Sequence, residues 1–133
     1  TLFRPHDETW LRSVRNLLSK RGVSFEEPRL SGETTPCCGY GGLAWDANPQ
    51  LASAIAADRA GQLEHDAVTS CIMCRERLVA EGKPSLHMLD LLYPGESLHA
   101  AAVAKGSGLS ARRAGRAALR TEVLRRYAGG KRS

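Results

Sequence analysis

The sequence is dominated by the stretch Cys37-Cys38-Gly39-Tyr40-Gly41-Gly42 and by its distant counterpart Cys71-Ile72-Met73-Cys74, because these two motifs contain all four cysteines of the chain. The first motif joins two adjacent thiols to a glycine-dense turn, and the second is a C-x-x-C sequence. Cysteine thiolates are the ligands of iron-sulfur clusters and of many structural zinc ions. The pattern therefore predicts a metal site assembled from two loops, with an iron-sulfur cluster as the favoured occupant.

Length and composition fit a single domain of ordinary size. The chain has 133 residues, of which 42% are hydrophobic and 5% aromatic, which is enough for a hydrophobic core. No apolar run approaches the roughly 20 residues that span a bilayer. Residues 1–7 lack the basic-then-apolar pattern of a secretion signal. We therefore expect a cytoplasmic, reducing environment, in which this cysteine spacing indicates metal or redox chemistry.

Charge is distributed unevenly along the chain. The net charge is +5, yet residues 101–133 contain nine Lys and Arg residues and a single Glu, which gives that segment +8 and leaves −3 for residues 1–100. The basic character thus belongs to a tail, so nucleic-acid binding by the whole chain is not expected. We expect the tail to dock onto another subunit or another part of a longer chain.

Hydrophobic periodicity and turn signals alternate helices with short strands. This rhythm predicts a small three-layer α/β domain with a short parallel sheet, followed by a basic C-terminal helix. The expected domain boundaries are 1–93 for the cysteine-rich domain, 94–110 for a linker and 111–133 for the basic helix and tail. The first predicted elements are a helix capped by Asp7 and ended by Gly22, and a strand at Val23-Ser24-Phe25. A second helix is predicted to begin at Asn48-Pro49 and to bury Leu51, Ala54, Ile55 and Leu63. The remaining predicted elements are a strand at 67–70, a helix from the C-x-x-C motif to Gly82, a strand at 85–88, a helix at 89–92 and a helix from Ser110 to Tyr127.

The C-x-x-C motif falls where a predicted strand ends and a helix begins. Positions three apart on a helix share one face, so Cys71 and Cys74 can bind one centre. The helix dipole and the free amides at this end are expected to lower the pKa of these thiols. Cys37 and Cys38 are adjacent and must form a turn or bind different metal atoms of one cluster.

The glycines of the first motif have a separate predicted role. Gly39, Gly41 and Gly42 would let backbone amides approach the sulfides of a cluster, because glycine has no Cβ in the way. Hydrogen bonds from amides to sulfur raise the reduction potential of a cluster. These three glycines are therefore predicted to surround the cofactor.

Three other interpretations of the cysteines remain open. Four cysteines can hold a structural zinc ion, in which case the chain is an interaction module with a basic tail; directly adjacent ligands are less usual for zinc. The C-x-x-C motif or the Cys37-Cys38 pair can also act as a metal-free thiol-disulfide pair. Finally, the cysteines can be small buried apolar residues beside a tight turn.

Together the motifs resemble the cysteine-rich CCG domain of the heterodisulfide reductases and of glycolate-oxidase-type and lactate-utilisation-type iron-sulfur oxidoreductases. The basic segment with Arg112-Arg113, Arg116 and Leu119 resembles a bacterial branch of these proteins in which such a domain joins larger oxidoreductase chains. Four longer stretches also resemble the same branch: Cys37-Cys38-Gly39-Tyr40-Gly41-Gly42-Leu43, Asn48-Pro49, Val68-Thr69-Ser70-Cys71-Ile72-Met73-Cys74-Arg75 and His87-Met88-Leu89-Asp90-Leu91-Leu92.

The resemblance implies a Rossmann-like α/β domain that binds an unusual [4Fe-4S] cluster, which is noncubane in the best-studied members. By position it makes Cys37, Cys38, Cys71 and Cys74 the cluster ligands. It implies a component of an oxidoreductase complex that relays electrons or reduces a disulfide-type substrate, with other subunits and an electron carrier as partners. The family pattern has one more cysteine, at or before Thr1, where this sequence has none, so we expect a partial copy.

A few further residues can be assigned from the sequence. His87 is expected either to line the cluster cavity or to be a hydrogen-bonded core histidine. Arg75 and Arg77 either offset cluster charge or form a solvated helix face, and Asp90 is expected at the surface or as a helix cap. No Gly-x-Gly-x-x-Gly follows a strand, so flavin or nicotinamide binding is not predicted.

Overall fold

The computed structural model of the protein describes residues 8–128. Its first helix, α1 (Glu8–Lys20), ends before Gly22, which has the left-handed φ of 68° that favours glycine. The predicted end of this helix is confirmed, while its predicted cap, Asp7, lies outside the described residues.

The strand predicted at Val23-Ser24-Phe25 is wrong. This segment has no regular secondary structure, and Phe25 is exposed. The amide of Val23 donates to the carbonyl of Leu18 at 3.1 Å, and the amide of Gly22 donates to the carbonyl of Ser19 at 2.9 Å. The end of α1 therefore uses the amide of Val23, which a sheet would otherwise need.

The Cys37-Cys38 loop leads through a 3₁₀ turn at Gly41–Leu43 into the short helix α2 (Ala44–Ala47) and then into α3 (Pro49–Gly61). Asn48 caps α3, since its Oδ1 accepts a hydrogen bond from the amide of Leu51 at 3.0 Å. Pro49 occupies the first turn, where no amide proton is required. The predicted start of this helix is confirmed.

The predicted buried side of α3 is wrong. Leu51 is 54% exposed and Ala54 is exposed, whereas the residues that α3 buries are Ala52, Ala56, Arg59 and Ala60; Ile55 and Leu63 are half-buried. The reason is the close approach of the Cys37-Cys38 loop. A Cβ placed on Gly39 would lie 2.2 Å from the carbonyl oxygen of Ala52. Only the alanine side of the helix leaves room for a backbone so near.

The centre of the fold is a β-α-β unit formed by β1 (Ala67–Thr69), α4 (Ile72–Ala80) and β2 (Ser85–His87), followed by α5 (Met88–Leu92). The two strands are parallel, and Thr69 lies opposite His87. Buried Leu78 and Val79 place the core under α4. The structure confirms a helix-rich α/β fold with a short parallel sheet; the three-layer, Rossmann-like arrangement stays a prediction.

The segment 94–110, predicted as a linker, contains a further helix, α6 (Leu98–Val103). Ser97 caps it by accepting a hydrogen bond from the amide of Ala100 at 3.2 Å, and Ala102 is only 3% exposed. This helix packs against β2 and α5. Its short alanine-rich sequence has no hydrophobic stripe, which is why the pattern did not reveal it.

The C-terminal helix α7 (Leu109–Ala128) confirms the helix predicted from Ser110 to Tyr127. It is joined to α4 by an ion pair between Arg112 Nη2 and Glu76 Oε2 at 2.5 Å. Farther along, the side chains of Leu119 and Tyr127 are 64% and 78% exposed. Across residues 8–128, none of the helices combines the length and the hydrophobicity that a membrane span requires.

Candidate cysteine site

Cys71 and Cys74 lie at the junction of β1 and α4, as the sequence predicts. Cys71 has extended backbone angles, occupies the position directly before α4 and is exposed, whereas Cys74 lies in the first turn and is half-buried. The hydroxyl of Thr69 donates to the carbonyl of Cys71 at 3.2 Å, which holds the turn between strand and helix. The C-x-x-C motif thus sits at the carboxyl end of a parallel strand, where α/β folds usually place ligands.

The Cys37-Cys38 turn depends on Gly39. This residue has a φ of +81° and packs directly on the backbone of α3, which no residue with a Cβ could do. Its amide donates to the Sγ of Cys37 at 3.4 Å. Cys38 is buried, with 8% of its surface exposed.

Two of the three glycines predicted near the cofactor lie beside a cysteine sulfur. In addition to the amide contact of Gly39, a Cβ on Gly41 would lie 3.8 Å from the Sγ of Cys37. Gly42 has a φ of +67°, and a Cβ there would meet open space. Gly42 therefore shapes the turn into α2, whereas Gly39 and Gly41 allow the backbone to lie close to the Sγ of Cys37.

The structure brings the two cysteine motifs together. The Sγ atoms of Cys38 and Cys74 share a hydrogen bond at 3.0 Å, although the residues are 36 positions apart in the chain. This distance is longer than the roughly 2.05 Å of a disulfide bond, and all four cysteines are free thiols. A loop beside α3 and the first turn of α4 therefore meet at one point.

The shared hydrogen bond separates the pKa values of its two thiols. The pKa of Cys38 falls to about 6, chiefly because Cys74 hydrogen-bonds to it; this bond, with smaller contributions from backbone amides and the positive charge of Arg77, outweighs the effect of burial, which raises the pKa. The pKa of Cys74 rises because Cys38, burial and the neighbouring Cys71 all disfavour its thiolate. The expectation of lowered pKa values in the C-x-x-C motif is therefore wrong for Cys74. Either neutral thiol can donate in this bond, but these values leave the proton on Cys74 and the charge on Cys38.

Arg77 links three helices around this pair. Its Nη2 donates to Ser53 Oγ in α3 and to Glu81 Oε1, each at 3.1 Å. Its guanidinium carbon lies 3.9 Å from the centroid of the Trp45 ring in α2. Because Arg77 is only 8% exposed, the alternative of a solvated helix face is wrong for this residue. The sequence offered no signal for the stack, since Trp45 and Arg77 are far apart in the chain.

Arg75 is also buried, with 7% of its surface exposed, so the solvated alternative is wrong here too. Its Nη2 donates to the carbonyl of Ala101 in α6, and its Nε lies 3.9 Å from Asp90 Oδ2. The Nε atoms of Arg75 and Arg77 are buried and have no hydrogen-bond partner among the described residues. Arg75 therefore joins α4 to α6.

His87 caps α5. Its Nδ1 accepts a hydrogen bond from the amide of Leu89 at 3.2 Å, and Asp90 Oδ2 accepts one from the amide of His87 at 2.9 Å. The capping role predicted for Asp90 is confirmed. His87 lies at the same sheet edge as the turn before Cys71, because its partner in the ladder is Thr69. Its role in lining a cluster cavity stays a prediction.

A second group of possible metal ligands lies elsewhere on the surface. Glu26, Glu64 and His65 have ligand atoms within 4.8 Å of one another, and His65 Nε2 lies 3.4 Å from Glu26 Oε1. All three side chains are exposed, and exposed acidic groups are common without an ion. The sequence did not indicate this group, and it is not specific to iron-sulfur or zinc chemistry.

Comparisons with protein-family models, with curated proteins and with solved structures found no match to this chain. The resemblance to the CCG-domain family therefore stays a prediction from the sequence motifs.

Proposed function

We propose that the protein is an iron-sulfur cluster-binding component of an oxidoreductase, with Cys37, Cys38, Cys71 and Cys74 as the cluster ligands. The observation that carries this proposal is the 3.0 Å contact between Cys38 and Cys74. It joins two cysteine motifs that are distant in sequence, and binding of one metal centre by both motifs would explain why they meet.

The residues around the sulfurs suit a negatively charged cluster. Four thiols from two loops match the ligand number of common clusters. The amide of Gly39 already donates to the Sγ of Cys37, and Arg77 provides a buried positive charge that acts on Cys38. When bound, the cluster would supply one-electron transfer or an open iron site. The protein's own contribution is to hold the sulfurs and to balance their charge.

The four sulfurs do not have the spacing of a single tetrahedral zinc site. With Zn–S bonds of about 2.3 Å, the sulfurs of a tetrahedral site lie about 3.8 Å apart. All four cysteines are described, and no three of their sulfurs lie within 4.8 Å of one another. Ligands that each bind a different iron atom are spread more widely than ligands around one ion. Either metal would require Cys38 and Cys74 to separate from 3.0 Å.

The wider assignment follows from the resemblance to the heterodisulfide-reductase-type CCG domain. It comprises a Rossmann-like three-layer fold, a [4Fe-4S] cluster of cubane or noncubane type, partner subunits with an electron carrier, a disulfide-type substrate and a cytoplasmic location. The β1-α4-β2 unit supports it, because the C-x-x-C motif follows a parallel strand. The exposed basic helix α7 offers a surface on which another subunit can dock.

The test is anaerobic purification of the protein, reconstitution with ferrous iron and sulfide, and analysis of bound iron, labile sulfide and zinc. We expect iron and sulfide in equal amounts, with visible absorbance. Cys→Ser variants at each of the four positions should lose the absorbance, whereas the neighbouring exposed Ser70→Ala should keep it. One bound zinc ion with no visible absorbance would overturn the proposal and favour the zinc-binding interaction module.

A further inference from the structure

The four free thiols can pair in several ways, and the structure discriminates among them. The sequence suggests the pairs within each motif, Cys37 with Cys38 and Cys71 with Cys74. Adjacent Cα atoms are about 3.8 Å apart across a trans peptide, which is below the roughly 4.4–6.8 Å that a relaxed disulfide spans. The peptide bond between Cys37 and Cys38 is not cis, as no described bond is. A disulfide within the first motif is therefore strained.

A disulfide between the two motifs requires much less rearrangement. The Sγ atoms of Cys38 and Cys74 already lie 3.0 Å apart and share a hydrogen bond. They need to approach by only about 1 Å to reach the bond length of a disulfide, about 2.05 Å. Cys71 also neighbours Cys74, but it is exposed at the start of α4, whereas Cys38 is buried and lies 3.0 Å from the Sγ of Cys74.

We propose that Cys38 and Cys74 form a redox-active pair that a peroxide oxidises to a disulfide when no metal is bound. The pairing rests on the contact between the two thiols and does not depend on the protein's binding iron. It differs from either pair that the sequence suggests, because it links the loop beside α3 to the first turn of α4.

The reaction consumes two electrons from the thiols. The sulfur of one cysteine of the pair, as thiolate, attacks one oxygen of hydrogen peroxide; the O–O bond breaks, hydroxide leaves, and that cysteine becomes a sulfenic acid. The sulfur of the other cysteine then attacks the sulfur of the sulfenic acid, and the S–O bond breaks. The departing hydroxide takes the proton of the attacking thiol, which gives the disulfide and water. A dithiol reductant reverses the oxidation by exchange.

Burial determines which oxidants can react at this pair. Cys38 is only 8% exposed and Cys74 is half-buried, so a molecule as small as hydrogen peroxide fits the site better than a bulky disulfide. A larger oxidant such as glutathione disulfide reaches the exposed Cys71 first. The disulfide removes two of the four thiols from metal binding, so the oxidised pair and a bound cluster exclude one another.

The experiment uses the full chain, reduced and freed of metal with a chelator, and treated with substoichiometric hydrogen peroxide. Remaining thiols are alkylated, and linked peptides are identified by mass spectrometry. The first product should be the peptide pair joined through Cys38 and Cys74, and Cys37→Ser and Cys71→Ser should still form it. Predominant Cys71–Cys74 or Cys37–Cys38 linkage, or sulfinic acid without a disulfide, would overturn the proposal.

The wild-type mapping decides the pairing even if Cys38→Ser or Cys74→Ser fails to fold. Glutathione disulfide, used in parallel, should give a mixed disulfide at Cys71; reaction at Cys38 first would contradict the role of burial. Iron content is measured separately on the reconstituted protein. If the protein forms the Cys38–Cys74 disulfide but binds no iron, the redox pair is supported and the proposed function is refuted. If it binds iron but does not form this disulfide, the proposed function is supported and the redox pair is refuted.

Discussion

The guanidinium carbon of Arg77 lies 3.9 Å from the centroid of the Trp45 ring, so α4 is stacked on the helix that follows the Cys37-Cys38 loop. The same side chain bonds to Ser53 in α3. One buried arginine therefore fixes the position of the loop that carries Cys38 relative to the helix that carries Cys74. The meeting of the two cysteine motifs depends on this packing.

The first prediction concerns Arg77. Arg77→Lys keeps the charge but loses the planar group that both stacks on Trp45 and bonds to Ser53 and Glu81. We expect the free energy of unfolding to fall by about 1–3 kcal/mol, the range for losing a desolvated stack and buried hydrogen bonds. Urea unfolding of the reduced, metal-free protein measures it. The matched control is Arg113→Lys on the exposed surface of α7, which should change stability by less than about 0.5 kcal/mol; equal effects would refute the role of the stack.

The second prediction concerns the close approach of Gly39 to α3. Gly39→Ala places a Cβ 2.2 Å from the carbonyl oxygen of Ala52, at a φ of +81°. We expect a loss of roughly 2–4 kcal/mol in unfolding free energy, because backbone must move on both sides. The control is Gly61→Ala at the end of α3, where a Cβ meets nothing within 4 Å and should be neutral or stabilise by up to about 1 kcal/mol. A Gly39→Ala protein as stable as the control would show that the loop does not pack as described.

The third prediction concerns the pH dependence of the metal-free protein. The pKa of Cys38 is lowered to about 6 by its hydrogen bond with Cys74. In the unfolded chain both thiols keep their protons up to about pH 8.5. Between about pH 6 and 8.5 the unfolded state therefore binds more protons than the folded state, and stability should rise with pH. Above this window, the raised pKa of Cys74 makes the folded state the one that keeps a proton, so stability should fall.

The absorbance of thiolate in the ultraviolet measures this titration directly. Wild type should show one thiolate appearing with a midpoint near pH 6. Cys74→Ala should move that midpoint upward, because it removes the main group that lowers the pKa of Cys38. Ser70→Ala, close by in the chain, should leave it in place. A midpoint unchanged in Cys74→Ala would mean that the two thiols do not share a proton.

The fourth prediction concerns the attachment of α7. Arg112 pairs with Glu76 at 2.5 Å, and its Nε donates to the carbonyl of Ser107 at 2.6 Å. Arg112→Gln or Glu76→Gln should release the start of α7, so hydrogen exchange should increase across 109–128 while α4 retains its protection. Arg125→Gln, whose partner Glu122 lies within the same helix, is the control and should not release it. Increased exchange throughout α4 would instead indicate loss of the core.

Local features of the sequence predicted much of the secondary structure. Asn48-Pro49 marks the start of α3, Gly22 the end of α1, and the C-x-x-C motif the junction of β1 and α4, since each depends on backbone chemistry that a residue carries with it. The strand predicted at 23–25 is wrong because the end of α1 takes the amide of Val23. Helix α6 was missed because its short sequence has no hydrophobic stripe, and its burial depends on packing against β2 and α5.

For the candidate site, too, the sequence predicted some features and the tertiary structure decided others. Four cysteines in two motifs are visible in the sequence and indicate sulfur chemistry before any fold is known. That Cys38 has a lowered pKa and Cys74 a raised one is decided by the contact between the two thiols. The burial of Arg75 and Arg77 likewise depends on α2, α3 and α6 closing over α4.

The sequence by itself determined which residues can carry the chemistry and where helices and strands begin, because capping, glycine conformation and thiol chemistry act within a few residues. Only the tertiary structure decided which sulfurs meet, which face of α3 is buried and where the positive charges lie. Those outcomes follow from the approach of Gly39 to Ala52 and from the stacking of Arg77 on Trp45. Both are contacts between distant segments that no local pattern encodes.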